Sequence, residues 1–322
     1  MGKTVFRCAF AVLGLAALAA AQAQSFPSRP VRMVVNFPPG GAADQIARPL
    51  AASLQEKLGQ PFVVENRAGA NGNIGVTEVV QQPADGYTLL MSSGGAITVN
   101  GQLYRNLPFD PMKALEPVAP AAVVSVFLEI KPSIPAQTLA EFIAHARANP
   151  AKLNYGSPGI GSSPHLAGEM FNRAAKVQTT HVPYKGAAPA MTDLLGGQID
   201  FMWDPGIGLQ HVKGGKLRML ATGSPKRHPA FPEMPTVAEV TGQEFDADTV
   251  FGLYAPAGTP KEVIALLNRE IGAALQTPAL QGRLSAIAAQ GLTLTPEAFA
   301  ARNAAEFQRM GQLIRETGLR AE

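Results

Sequence analysis

Val31-Arg32-Met33-Val34-Val35-Asn36-Phe37 runs straight into Pro38-Pro39-Gly40-Gly41-Ala42-Ala43-Asp44. A short apolar run bounded by Pro and Gly reads as a buried strand. Residues 43–58 then place Ile46, Leu50, Leu54 and Leu58 four apart, and Gly59 stands where a helix stops. Working outward, 62–65 reads as a second strand. Ile74, Val76, Val79 and Val80 mark a helix after Asn73, Asp85-Gly86 a turn, and 87–91 a third strand. Strand, helix, strand, helix, strand implies a parallel sheet with helices on its faces.

The pattern resumes beyond a long apolar stretch, 118–130, which reads as one extended strand crossing out of this unit. Strands are expected at 153–157, 180–184, 199–203 and 217–222, with helices at 138–149, 166–175 and 188–195. A second α/β unit follows from that order. A strand at 251–255 precedes Pro256-Ala257-Gly258-Thr259-Pro260. The remainder reads as helices at 261–276, 278–290 and 296–317, which have no sheet of their own and are expected to cover the first unit.

The composition narrows the function. With 322 residues, 46% hydrophobic and 16% charged, the chain has material for about two cores. Lys and Arg total 27 against 24 Asp and Glu, and no Lys/Arg run reaches four, which argues against a nucleic-acid surface. Residues 1–23 read as a secretory signal peptide. Lys3 and Arg7 make a basic start, residues 8–21 are apolar or Gly, and Ala21-Gln22-Ala23 fits a cleavage site before Gln24. The apolar stretch is shorter than the roughly 20 residues of a spanning helix. Cleavage removes Cys8, the only cysteine, so neither an internal disulfide nor a thiolate metal site is available. A soluble, exported protein in a periplasm-like compartment follows.

Signatures of catalysis are missing. Gly156-Ser157-Pro158-Gly159 is one residue short of an esterase elbow, and no phosphate loop occurs. Gly159-Ile160-Gly161-Ser162-Ser163-Pro164 breaks the dinucleotide pattern at its last position. His145, His165, His181, His211 and His228 form no close metal pair. No cofactor and no metal are expected.

What recurs is a strand ending in a small-residue loop that opens a helix. Pro39-Gly40-Gly41-Ala42-Ala43-Asp44 is one such loop, Ser92-Ser93-Gly94-Gly95 a second, and Gly159-Ile160-Gly161-Ser162-Ser163 a third. In open α/β sheets the cleft lies beyond the C-terminal strand ends, where helix N-termini offer unpaired N–H groups to an anion. Each loop alone reads more simply as a plain βα turn; three together point to a binding cleft able to hold a carboxylate without Arg or Lys. Asp44 either caps its helix or bonds a ligand, and capping is the simpler reading. His165 reads as structural. Asp204, ending 201–203, is either a cap for the helix from Pro205 or a receptor for a ligand ammonium or hydroxyl.

Eight blocks then carry a family resemblance. They begin with Phe37 to Asp44, Val63-Val64-Glu65-Asn66-Arg67-Ala68-Gly69-Ala70-Asn71-Gly72-Asn73-Ile74-Gly75, Asp85-Gly86-Tyr87-Thr88-Leu89-Leu90 and Tyr155 to Glu169. Val182-Pro183-Tyr184-Lys185-Gly186, Asp193 to Asp200, Pro235-Thr236-Val237 and Ala255 to Pro260 complete the series. In this order the chain resembles the Bug (Bordetella uptake gene), or TctC-like, family over nearly its whole mature length. The resemblance implies an α/β, periplasmic binding protein type II-like fold with two α/β domains and a ligand cleft between them. Domain 1 would be 24–126 plus 249–322, and domain 2 would be 127–248.

The resemblance also implies a non-enzymatic receptor. It would capture a small carboxylated solute and deliver it to the membrane subunits of a tripartite tricarboxylate transporter. Alternatives are an orphan receptor feeding a sensor protein, or an exported hydrolase using Asp44 or His165. A monomer in the periplasm is expected. Pro39, Gly40, Gly41, Ala42, Ala43 and Asp44 would form one jaw, with Ser92 and Ser93 beside it. Ser157, Gly161, Ser162 and Ser163 would face them, with Asp204 on the floor. Ala43 stands where the family often has Thr or Ser, Pro49 where it has an ordinary helix former, and Val250 where many members carry an aromatic residue. Pro49 is expected to kink its helix.

Overall fold

The structure, a computed structural model, describes residues 26–104 and 106–321. The expected signal peptide at 1–23 lies outside the described residues. Two sheets organise the chain. The first has the order β11-β4-β10-β3-β1-β2 and the second β7-β6-β8-β5-β9.

In the first sheet β1 (Val31–Val35) pairs in parallel with β2 (Phe62–Asn66) and β3 (Thr88–Ser93). The connections are α1 (Ala42–Leu58) and α2 (Asn73–Val80). Ile46, Leu50 and Leu54 of α1 are fully buried with Met33 and Leu89, which is what the four-residue spacing called for. Gly59 ends α1 in the left-handed region and returns its N–H to Gln55. Pro49 lies within α1, which continues through it as one helix despite the lost N–H. After β3 comes a five-residue helix, α3 (Gly94–Thr98).

The apolar stretch 118–130 is two strands, not one. β4 (Leu115–Val124) belongs to the first sheet, and β5 (Phe127–Ile130) to the second. Both are buried at most positions, and Ser125 and Val126 are buried as well, so burial does not mark the break between them. The second sheet repeats the plan of the first. After α4 (Leu139–Ala148), β6 (Asn154–Ser157) pairs in parallel with β7 (Thr180–Pro183) and β8 (Phe201–Asp204). Helices α5 (Ser163–Ala175) and α6 (Ala187–Leu195) make the crossovers. β5 runs antiparallel to β8 and to β9 (Arg218–Thr222). Trp203, Phe142 and Phe171 fill this second core.

The chain then returns. β10 (Thr249–Pro256) inserts antiparallel between β3 and β4 of the first sheet. The outgoing and returning segments are tied together: the Ser224 hydroxyl lies 2.8 Å from Ser125 Oγ and donates to Asp248 Oδ1 at 2.6 Å. Helices α7 (Lys261–Leu275) and α8 (Pro278–Ala286) bury Leu267, Ile271, Leu280 and Leu284 against the first core, as expected. The expected helix 278–290 is shorter: β11 (Ala289–Gly291) pairs with β4. Ala288 takes a left-handed φ of 49°, which ends the helix where Leu280, Leu284 and Ile287 had continued its spacing. The last helix, α9 (Pro296–Thr317), packs Phe299 on Tyr254 and reaches the second domain through Arg309, which donates to the Asp246 carbonyl at 2.8 Å.

Candidate functional site

The C-terminal ends of the parallel strands in the two sheets face each other across a cavity. Gly41, Ala42 and Ala43 line it from the first turn of α1, with Ser93 at the start of α3. Ser162 and Ser163 line it from the start of α5, and Ala187 and Ala188 from the start of α6. Each of these helices begins at the wall. Neither Gly41, before α1, nor Gly186, before α6, gives its helix a side-chain cap. The first N–H groups of both helices therefore have no partner within their own helix, and an anion in the cavity would supply one.

The rest of the wall is apolar. Phe37 and Pro38 close one side, Pro158 and Pro164 another, and Pro205 and Phe251 complete it. No charged side chain is among the described residues lining the cavity. The two domains meet at its rim. A Cβ on Gly186 would sit 2.5 Å from Pro38 Cγ, and one on Gly206 would sit 2.0 Å from the Ile287 carbonyl oxygen.

The expected site residues divide into two groups. Gly41, Ala42, Ala43, Ser93, Ser162 and Ser163 are brought together at the wall. Pro39 and Gly40 are exposed outside it. Ser92 is fully buried and accepts from Asn36 Nδ2 at 2.9 Å. Gly161 takes a φ of 86° and packs against Leu103 and Asn71 of the other domain.

Asp44 is buried just behind the first loop. It accepts from the Gly40 N–H at 3.0 Å, from Arg48 Nε at 3.0 Å and from Asn66 Nδ2 at 2.9 Å. Burial pushes its pKa up, but the bonds from Arg48, Gly40 and Asn66 outweigh this and hold the carboxyl below its ordinary value. It is neither the N-cap of α1 nor part of the wall; it holds the loop in place.

Ser157 is buried behind the second loop, bonded to the Gly159 N–H at 3.1 Å and lying 2.6 Å from His181 Nε2. Ser162 caps α5 and donates to the Gly159 carbonyl at 2.7 Å. His165 Nδ1 accepts from the Gly161 N–H at 3.0 Å, so its proton sits on Nε2. Burial lowers the His165 pKa to about 4. Burial and the neighbouring His165 lower that of His181 to about 3. Both rings are neutral supports for the loop. With Ser157 fully buried, the Ser157–His181 pair has no access to a substrate.

Asp204 turns away from the cavity and accepts from the Gly208 N–H at 2.8 Å. On the same sheet face lies Glu129, and both carboxylates are fully buried. Burial raises the Asp204 pKa to about 7 against the pull of the Gly208 and Gly206 N–H groups. Burial and the Asp204 charge raise that of Glu129 well above the carboxylate range. At neutral pH the pair holds at least one proton. Pro205, next in sequence, is the residue that reaches the wall.

Sequence reasoning missed Phe37, Pro38, Ala187, Ala188, Pro205 and Phe251, none of which carries a polar signal. It placed a strand at 251–255, within the observed 249–256, but singled out Val250, which faces the core with Val34 and Tyr254; Phe251 faces the cavity. Strand alternation sends neighbours to opposite sides.

The chain is similar to known proteins over most of its length. The model of the TctC family, the tripartite tricarboxylate transporter family receptors, matches residues 46–319. BugT of Bordetella pertussis is 41% identical over 302 residues, which is 92% of this chain and 91% of BugT. An R. palustris protein solved with adipate is 34% identical and superposes with a TM-score of 0.89, covering 92% of this chain and 99% of that one. MatC from Rhodopseudomonas palustris, solved with bound malate, is 31% identical with a TM-score of 0.84, covering 90% of this chain and 100% of that one.

Proposed function

The chain belongs to the TctC family of tripartite tricarboxylate transporter receptors, as a solute-binding protein and not an enzyme, and from that premise we propose how it holds its solute. A carboxylate enters between the domains and takes the unpaired N–H groups at the starts of α1 and α6, with the hydroxyls of Ser93 and Ser163. The observation that carries this reading is the convergence of helix N-termini from both domains on one cavity without a cationic side chain. Helix N-termini supply the positive potential that Arg would otherwise provide.

The domains take the bounds 24–126 plus 249–322 and 127–248. The tie from Ser224 to Ser125 and Asp248 supports hinge points there. Ligand touching both jaws favours the closed form through its extra contacts. The receptor is a periplasmic monomer, released by cleavage before Gln24, and hands its solute to the membrane subunits of a tripartite transporter. No helix among the described residues is long and apolar enough to cross a membrane, which fits a receptor that meets its partners from outside the bilayer.

Native mass spectrometry of the purified protein, followed by denaturing release, tests the reading. A co-purified carboxylate, or a rise in melting temperature with one from a broad panel, is expected. A protein whose melting temperature no carboxylate moves would overturn it.

A further inference from the structure

We infer that the solute is a carboxylate with a bare hydrocarbon body, and that hydroxyl and amino substituents on that body are selected against. This rests on the carboxylate-receptor reading and concerns the walls rather than the anion site. Phe37, Pro38, Ala188, Pro205 and Phe251 bring no hydrogen-bonding side chain to the cavity. Ala43, where a hydroxyl-bearing residue would have been a ready partner, adds another methyl group.

The polar side chains are few and grouped. Ser162 already serves the Gly159 carbonyl and the His165 N–H. Ser93 and Ser163 lie together: the position of a Cβ on Gly95 is 3.9 Å from Ser93 Oγ and 3.8 Å from the Ser163 nitrogen. One carboxylate at that point engages both domains and occupies both hydroxyls. A ligand ammonium would need a carboxylate, and none lines this cavity. Asp44 is held by Gly40, Arg48 and Asn66. Asp204 is buried with Glu129 beneath the Pro205 loop and does not reach the wall.

A hydroxyl placed against the Phe and Pro walls loses its water and gains no partner. A hydrophobic pocket discriminates against an added hydroxyl by up to about 100-fold. The chemistry selected is therefore alkyl or aryl carboxylate over hydroxy acid or amino acid.

Titration calorimetry on the purified protein, freed of co-purified solute, tests this with matched pairs: butyrate against 3-hydroxybutyrate, glutarate against 2-hydroxyglutarate and glutamate, and tricarballylate against citrate. In every pair that binds, the unsubstituted acid is expected to bind roughly 10- to 100-fold tighter. Equal or tighter binding of the substituted member overturns the inference while leaving the receptor reading intact. Binding by none of these acids, nor by any in the broad panel, instead defeats the receptor reading. Ala188→Ser, which adds a hydroxyl to the wall, is expected to shrink the ratio. An unchanged ratio would show that the wall does not discriminate and would overturn the inference.

Discussion

His165 and His181 stack face to face beneath the second loop, ring centroids 3.9 Å apart and planes 20° from parallel. His165 carries the Gly161 N–H, and His181 lies against Ser157. Their folded pKa values, about 4 and about 3, lie below the ordinary 6.5. The fold therefore prefers both neutral. Their contribution to stability is complete above pH 6.5 and is lost as pH falls toward 4 and then 3. Thermal unfolding from pH 7 to 4 is expected to show a steeper loss in the parent than in His165→Asn, which keeps an acceptor for Gly161. Parallel curves would contradict this account.

The Asp204–Glu129 pair acts in the opposite direction. Asp204 has a folded pKa of about 7, above its ordinary 3.8. Its protonated form is favoured in the fold, so this contribution is present below pH 3.8 and is lost as pH rises through 7. Asp204→Asn stays neutral and keeps an oxygen for the Gly208 N–H. Relative to this variant, the parent is expected to lose stability between pH 4 and 8. Urea midpoints at several pH values measure the difference, and a constant gap would rule the pair out as its source.

Gly206 bears on domain closure. It takes a φ of 90°, and a Cβ there would meet the Ile287 carbonyl of the other domain at 2.0 Å. If closure is what brings these backbones together, Gly206→Ala is expected to weaken solute binding at least tenfold. Small-angle scattering at saturating solute would show a larger radius of gyration than for the parent. Unchanged affinity would mean that closure does not bring these backbones together.

Ser93 begins α3 without capping it, so its hydroxyl is available to solute. Ser93→Ala is expected to weaken carboxylate binding by roughly 10- to 100-fold, the span of a hydrogen bond to a charged group. The unliganded melting temperature should move by no more than a degree or two. A fall in stability with affinity intact would make Ser93 a structural residue instead.

The parallel units were legible because their helices alternate buried and exposed faces in step with 3.6 residues per turn, as Ile46, Leu50 and Leu54 show. The break at Ser125 was not, because both flanking strands are buried on both sides and read as one apolar run. At the cavity, loops rich in Gly and Ser were visible as a class. Which members reach the wall depends on backbone direction: Ser93 faces in, and Ser92 faces Asn36. Asp204 shows the same limit, since one residue separates a carboxylate buried with Glu129 from the Pro205 ring at the wall. The apolar wall left no trace in a search for chemistry, because Ala, Pro and Phe are found in every core.

The insertion of β10 between β3 and β4 sets an order of events during synthesis. Residues 127–222, which hold every strand of the second sheet, are contiguous and can condense as soon as they emerge. The first sheet has a gap at its centre until residues 249–256 arrive, although four of its strands were made much earlier. The first sheet is therefore complete only once the last quarter of the protein is made, because β10 alone joins β3 to β4.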